Sequence, residues 1–326
     1  MARTVVFDEP GAPDVLRIVD DLVADPGPGE VRISVAAFGV NQLDVLMRSG
    51  ASPRPVRLPH ARLGLEATGT VDAVGPEVST VSVGDRVLVA AVPDSDVNGT
   101  YTAQIVVPAE RVVRRPEGLD DVGAAALWVS YSTAYGALVE KAGMRPGDHV
   151  LITAASSGVG FAAIQIANQI GAVPLATTRT EAKRDALLAA GSSAVAVTDN
   201  DDVVAFAQRH TGGRGVDIIL DTILGPGLAH LAGAARPGGT LVTAGWLDPR
   251  PASFPSGGPL TIHRYMSFEH TLDPVVIRRM AAFFDAGLRS GVLRPTVDRV
   301  FGFDEIIDAH KYLEQGTHVG KIVVTT

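Results

Sequence analysis

The chain has 326 residues, 46% hydrophobic and 20% charged, a mixture that folds around a buried core and is long enough for about two domains. Its 28 basic and 36 acidic residues leave a net charge of −8, which argues against a nucleic-acid backbone or an anionic membrane surface as partner. No cysteine is present, so disulfides, cysteine-bearing zinc sites and thiolate nucleophiles are excluded.

The opening residues 1–8 turn acidic before a signal-peptide core can form and read as a first strand. Strands are expected at 31–35, 69–74, 86–89 and 104–107, β-branched runs broken by Gly/Pro turns that make the first third β-rich. Residues 122–138 are apolar, but glycine, serine and threonine interrupt them short of a membrane span, so a cytoplasmic protein is expected. From about residue 124 the pattern changes to strands at 148–153, 173–177, 194–197, 216–220 and 240–244. Helices at 160–170, 181–190 and 203–209 alternate with them, which predicts right-handed crossovers and a mostly parallel sheet. The tail holds a helix at 274–286, an extended stretch at 297–303, a helix at 304–315 and a last strand at 320–324. That strand is expected to rejoin the β-rich domain, whose opening otherwise lacks an edge partner.

The strongest local signal is Val150-Leu151-Ile152-Thr153-Ala154-Ala155-Ser156-Ser157-Gly158-Val159-Gly160-Phe161-Ala162-Ala163. After a strand, Ser157, Gly158, Val159 and Gly160 let backbone amides approach a diphosphate, and the N-terminus of the next helix favours its charge. A tight turn used only for packing is the competing reading. At the exit of the next strand, Thr178, Arg179, Thr180 and Lys183 stand where an NAD-preferring fold places Asp or Glu, so a ribose phosphate and NADPH are favoured. Glu181 would compete with that phosphate, and either basic side chain would serve equally on a solvated helix face.

These residues resemble the zinc-independent quinone oxidoreductases (zeta-crystallin-like) of the medium-chain dehydrogenase/reductase superfamily. The resemblance runs through Ala36-Ala37-Phe38-Gly39-Val40-Asn41-Gln42-Leu43-Asp44, Leu63-Gly64-Leu65-Glu66-Ala67-Thr68-Gly69, Val81-Ser82-Val83-Gly84-Asp85-Arg86-Val87, Thr133-Ala134-Tyr135 and Gly320-Lys321-Ile322-Val323. It implies an α/β fold: a Rossmann doubly wound parallel sheet at 125–294, and a GroES-like β-rich catalytic domain at 1–124 plus 295–326. Zinc-dependent members carry Cys and His where this chain aligns Asn41 and Leu65, so no metal is expected and Glu66 reads as a structural carboxylate. Related reductases resemble Arg-any-Gly-any-Tyr, whereas this chain has Arg48-Ser49-Gly50-Ala51-Ser52, so no catalytic tyrosine transfers.

By that resemblance Asn41 lies near the nicotinamide, where its amide would hold a ribose hydroxyl, the cofactor carboxamide or a substrate oxygen; a loop-capping asparagine is the rival. Asp44 is expected to order the Asn41 loop. Thr133 would contact nicotinamide ribose or phosphate, or cap a helix. Ala244 and Gly245 would form a close wall at the nicotinamide, or an ordinary turn. Without metal or thiol, a nicotinamide must supply the redox chemistry, and a quinone or other α,β-unsaturated carbonyl suits direct hydride transfer. An enoyl-thioester or polyketide tailoring reductase, and a non-enzymatic NADPH sensor or crystallin-like protein, are the alternatives. The edge of the parallel sheet around 240–266 is the expected homodimer contact, again by resemblance.

Overall fold

Apolar residues recur at every second position along Glu30–Val40, and an extended chain turns alternate side chains to opposite faces, so this stretch forms a strand buried on one side. The computed structural model describes every residue except Pro53. In chain order its opening third contains β1 (Ala2–Phe7), β2 (Arg17–Asp21), β3 (Glu30–Val40), α1 (Gln42–Ser49), β4 (Ala61–Arg62), β5 (Ala67–Val74), β6 (Arg86–Val89), α2 (Ser95–Asn98), β7 (Gln104–Pro108), β8 (Val112–Arg114) and α3 (Asp121–Ala125). There follow α4 (Trp128–Tyr135), β9 (His149–Ile152), α5 (Gly158–Ile170), β10 (Val173–Thr178), α6 (Arg184–Ala189), β11 (Ala194–Val197), α7 (Val203–His210), β12 (Val216–Asp221), α8 (Leu228–Leu231), β13 (Ala235–Thr243) and β14 (Thr261–Arg264). The tail supplies α9 (Phe268–Thr271), α10 (Pro274–Ser290), β15 (Val297–Gly302), α11 (Ile306–Gln315) and β16 (Lys321–Thr325).

Two compact units are formed. The first comprises Met1–Val129, Thr271–Asp285 and Pro295–Thr326, the second Ser130–His270 and Ala286–Arg294. Thr271–Asp285, expected within the 125–294 block, thus groups with the β-rich unit. In the first unit a sheet ordered β15-β16-β3-β5-β6-β8, with β7 also on β3, lies beside a β2-β1-β4 sheet. The last strand does rejoin the opening third: β16 runs antiparallel to β3, with Ile322 opposite Val40 and Thr325 opposite Ala37. Val5, Phe7, Ile33, Phe38, Val87, Tyr101, Phe301 and Ile322 meet in the core of this unit.

The second unit is a six-stranded sheet ordered β11-β10-β9-β12-β13-β14, every pairing parallel. Chain order reverses between β9 and β12, and ligands of doubly wound sheets bind beyond the carboxyl ends of the strands at such a reversal. Leu151, Leu175, Phe206, Ile219 and Leu241 fill the core on one side. Two differences from expectation have local causes. The helix expected at 181–190 begins as a 3-10 turn, Glu181–Lys183, before α6. The sixth strand, β14, is only four residues long and follows a Gly/Pro-rich run, so no alternation announces it.

One residue of the first unit makes it sensitive to acid. His310 of α11 is fully buried, its ring edge-on to Tyr101 at 5.9 Å, and among the described residues neither ring nitrogen has a hydrogen-bond partner. Burial, and secondarily the Arg48 guanidinium, push its pKa down from 6.5 to about 3. The unfolded chain therefore binds the extra proton below pH 6.5, and stability falls as pH drops from there towards 3. At pH 4.5 this group should cost about 3 kcal/mol relative to pH 7.5. In urea unfolding over pH 4.5–7.5, the stability of His310→Leu relative to the parent should rise as pH falls, whatever Asp44 adds to both; parallel profiles would refute this account.

Candidate active site

At the carboxyl end of β9 the chain turns sharply into α5. Ala154 has a φ of +45°, a conformation L residues rarely adopt, and a Cβ on Gly160 would overlap the backbone of Ala155. That contact is why glycine stands at 160. Ser157 is the N-cap of α5: its φ of −76° needs no glycine, and its Oγ accepts the Gly160 N–H at 3.1 Å. The hydroxyl therefore holds the turn and keeps its own proton to donate. Gly158 and Val159, half-buried, form the first turn, where helix N–H groups have no intrahelical acceptor. A diphosphate suits such a cradle on charge and on space.

At the end of β10, Thr178 is buried and Arg179 exposed, and Arg179 makes no ion pair or hydrogen bond among the described residues. Lys183 reaches back to the turn before α5, its Nζ 3.3 Å from Ser156 Oγ. Glu181, the competing carboxylate in the sequence reading, is held by the Arg184 guanidinium. The strand exit thus keeps a free cation while its acid is neutralised.

The carboxyl ends of β9 and β12 are tied by a small network. Thr153 Oγ1 donates to Asp221 Oδ1 at 2.8 Å and accepts the Thr222 N–H at 3.0 Å, while Asp221 Oδ2 accepts the Leu224 N–H at 2.7 Å. Burial raises the Asp221 pKa against these donations. Ala244 N–H donates to Asp221 O at 2.7 Å, and a Cβ on Gly245 would overlap the Thr222 carbonyl. Ala244 and Gly245 are thereby fixed against the reversal point. Thr133 is buried inside α4, two residues before its end, so it does not cap that helix's start. Tyr131, on the same helix, donates to Gln165 Oε1 at 2.7 Å, a structural bond.

The other predicted residue belongs to the first unit. Asn41 precedes α1, its backbone carbonyl accepting Asp44 N–H at 3.0 Å and its own N–H donating to Asp44 Oδ2 at 2.9 Å. Its carboxamide makes no cap; it points instead to Gly39 O and Glu66 Oε1, each 3.2 Å from Nδ2, and to the Lys321 ammonium. Lys321 Nζ is 2.5 Å from Glu66 Oε1, and both side chains are almost wholly buried. Lys321 carried no role in the sequence reading. The available signal was a single charge heading an otherwise apolar strand.

This donor set does not fit zinc. Both Glu66 oxygens are already engaged, Leu65 has no donor atom, and the Lys321 ammonium sits against Asn41 Oδ1, where its charge would repel a cation. Asp44 lies beneath the cluster, accepting from Asn41 N–H, Tyr101 O–H (2.9 Å) and Gly64 N–H (3.0 Å). Burial outweighs these donations and raises its pKa to about 6. It orders the Asn41 loop, as expected.

Residues 27–117 match the family model for the alcohol dehydrogenase GroES-like domain, and residues 191–324 that for the zinc-binding dehydrogenase. A 2-haloacrylate reductase from a Burkholderia species is 32% identical over 99% of both chains. A quinone oxidoreductase from Lama guanicoe is 32% identical over 99% of this chain and 97% of its own. Among solved structures, the Escherichia coli quinone oxidoreductase complexed with NADPH superposes with a TM-score of 0.91 at 26% identity, covering 100% of both chains.

Tyr101→Phe removes one donor from the buried Asp44 carboxylate. A hydrogen bond to a charged group contributes about 1.5–3 kcal/mol, so a loss of that size is expected at pH 8, where Asp44 is ionised. The loss should shrink at pH 5, where the carboxyl is largely protonated. Denaturant midpoints at the two pH values measure this, and a pH-independent loss would contradict it.

Proposed function

The chain belongs to the zeta-crystallin-like quinone oxidoreductase family of the medium-chain dehydrogenase/reductase superfamily, and from that membership we propose that it is an NADPH-dependent reductase of quinones or other α,β-unsaturated carbonyls. The observation that carries the reading is the β9–α5 turn that requires glycine at 160, at the β9/β12 reversal, with Arg179 and Lys183 at the next strand exit. In this reading the second unit is the NADPH-binding domain and the first, with Asn41, the catalytic domain.

NADPH supplies a hydride when bound. The Gly158 and Val159 amides and the Ser157 hydroxyl would hold its diphosphate in the turn that Gly160 permits, Thr178, Arg179 and Lys183 its ribose phosphate, and Thr133, Ala244 and Gly245 the nicotinamide side. Asn41 would orient the reacting end. A conjugated carbonyl spreads developing negative charge onto oxygen, so less electrophilic help is required than for an unactivated ketone. Water is a sufficient proton source, since the chain offers no tyrosine at the related reductases' position.

We further place the protein in the cytoplasm as a homodimer. Among the described residues no helix is long and apolar enough to cross a membrane. Strand β14 ends the parallel sheet with one edge open, preceded by exposed Leu247 and Phe254. Light scattering should give twice the chain mass of 33.9 kDa; a monomer would remove the dimer from this reading.

Purified protein with NADPH should reduce a quinone or an enone and leave an unactivated ketone untouched. Turnover of an enoyl thioester alone would move the assignment to that branch. Binding of NADPH with no turnover of any conjugated carbonyl would favour a sensor role. Arg179→Ala should weaken NADPH about 10- to 100-fold and leave NADH unchanged, the range for one charge-assisted contact. Equal losses for the two cofactors would defeat phosphate recognition by Arg179.

A further inference from the structure

We propose that Lys321 and Glu66 are positioning residues that fix which end of the Asn41 carboxamide meets the bound ligand, so that Asn41 accepts a hydrogen bond from the cofactor and does not donate one to the carbonyl substrate. The inference deepens the functional reading above and rests on Asn41 contacting the ligand.

A primary amide offers two N–H donors and two acceptor lone pairs. Both Asn41 Nδ2 hydrogens are used, on Gly39 O and on Glu66 Oε1, each at 3.2 Å. One Oδ1 lone pair takes a hydrogen from the Lys321 ammonium. Rotating the amide by half a turn would set its NH2 against that ammonium and its oxygen against the Glu66 carboxylate and the Gly39 carbonyl. Three attractive contacts would become three repulsive ones, so one orientation is selected.

The clamps are themselves held. Glu66 Oε1 lies 2.5 Å from Lys321 Nζ and Oε2 accepts the Val129 N–H at 2.7 Å, with the two side chains 1% and 6% exposed. A Cβ on Gly39 would overlap Glu66 Oε1 and lie 2.6 Å from Lys321 Cε and 2.8 Å from Ala125 O. Only glycine at 39 leaves the pair this room.

What remains to a ligand is one Oδ1 lone pair. Quinones and enones carry acceptor oxygens only, so that lone pair cannot recognise them. The partner is a donor on the nicotinamide nucleotide, either a ribose hydroxyl or the carboxamide N–H. The 3-acetylpyridine analogue of NADPH lacks that N–H and separates the two sources. If the hydroxyl is the donor, Asn41→Ala weakens analogue and NADPH alike; if the carboxamide is, only NADPH binding suffers. Both outcomes support an acceptor role, and an unchanged affinity for both cofactors overturns it.

The positioning claim is tested by comparing Asn41→Ala, the charge-balanced double variant Glu66→Gln/Lys321→Met, and the triple variant, in single-turnover reduction of a quinone. Misplacement of an orienting group lowers the rate by about 10- to 100-fold, and the triple variant should be no slower than Asn41→Ala. A double variant at the parental rate, or a triple variant with multiplied losses, would overturn the claim. Should the double variant not fold, Gly39→Ala displaces the same pair while keeping every charge, and the same loss is expected. An activity-independent readout is the side-chain amide resonance pair of Asn41 in nitrogen-labelled protein, assigned by its absence in Asn41→Ala. Its hydrogens should exchange slowly in the parent and fast in the double variant. Fast exchange in the parent refutes the clamp even if the enzyme is active, whereas slow exchange without any carbonyl turnover faults the functional reading and leaves the clamp intact.

Discussion

The antiparallel pairing of β16 with β3 is the constraint from which the organisation of the first unit follows. Its register sets Ile322 opposite Val40, so Lys321 arrives beside Asn41 from 280 positions away, and Thr326 closes the ladder on Ala36 O at 3.1 Å. An ammonium delivered there without a partner would cost several kcal/mol, which explains why Glu66 stands next to it with every oxygen engaged. Because the pairing joins β3 to a strand some 280 positions later, the Asn41 cluster cannot form until β16 is in place, and such non-local contacts slow folding.

The two units solve the handling of charge differently. The second uses backbone geometry: a turn that only Gly160 permits, helix N–H groups without intrahelical acceptors, and a network on Thr153 and Asp221 that ties the reversal point together. The first uses side chains, with a buried ion pair clamping a neutral amide over an aspartate whose pKa is raised to about 6. Backbone cradles tolerate substitution wherever a side chain points away. The ion-pair cluster tolerates little, since removing any member strands another.

Legibility in the sequence varied with the range of the forces involved. Strand β11 falls at the expected 194–197 and β10 within one residue of expectation, because buried parallel strands are short β-branched runs bounded by turns. Strand β14 escaped notice, since four residues after a Gly/Pro-rich loop, only two of them β-branched, are too short to show a period; pairing with β13 makes it a strand. Thr133 and Asn41 were each open to a capping role, the common fate of such residues near helix ends. Thr133 proved to lie within a helix, and the Asn41 amide turned from its own helix to a lysine no local pattern could reach.

The sequence by itself determined the alternation of strand and helix, the glycine turn between β9 and α5 and the basic residues at the exit of β10, because these depend on neighbours a few residues apart. It also determined the absence of thiol chemistry. Tertiary structure alone decided the strand order that places the reversal between β9 and β12, the neutralisation of Glu181 by Arg184, and the orientation of the Asn41 amide. Those outcomes are set by residues far apart in the chain or by competition among nearby partners, and only the packed fold chooses which of them meet.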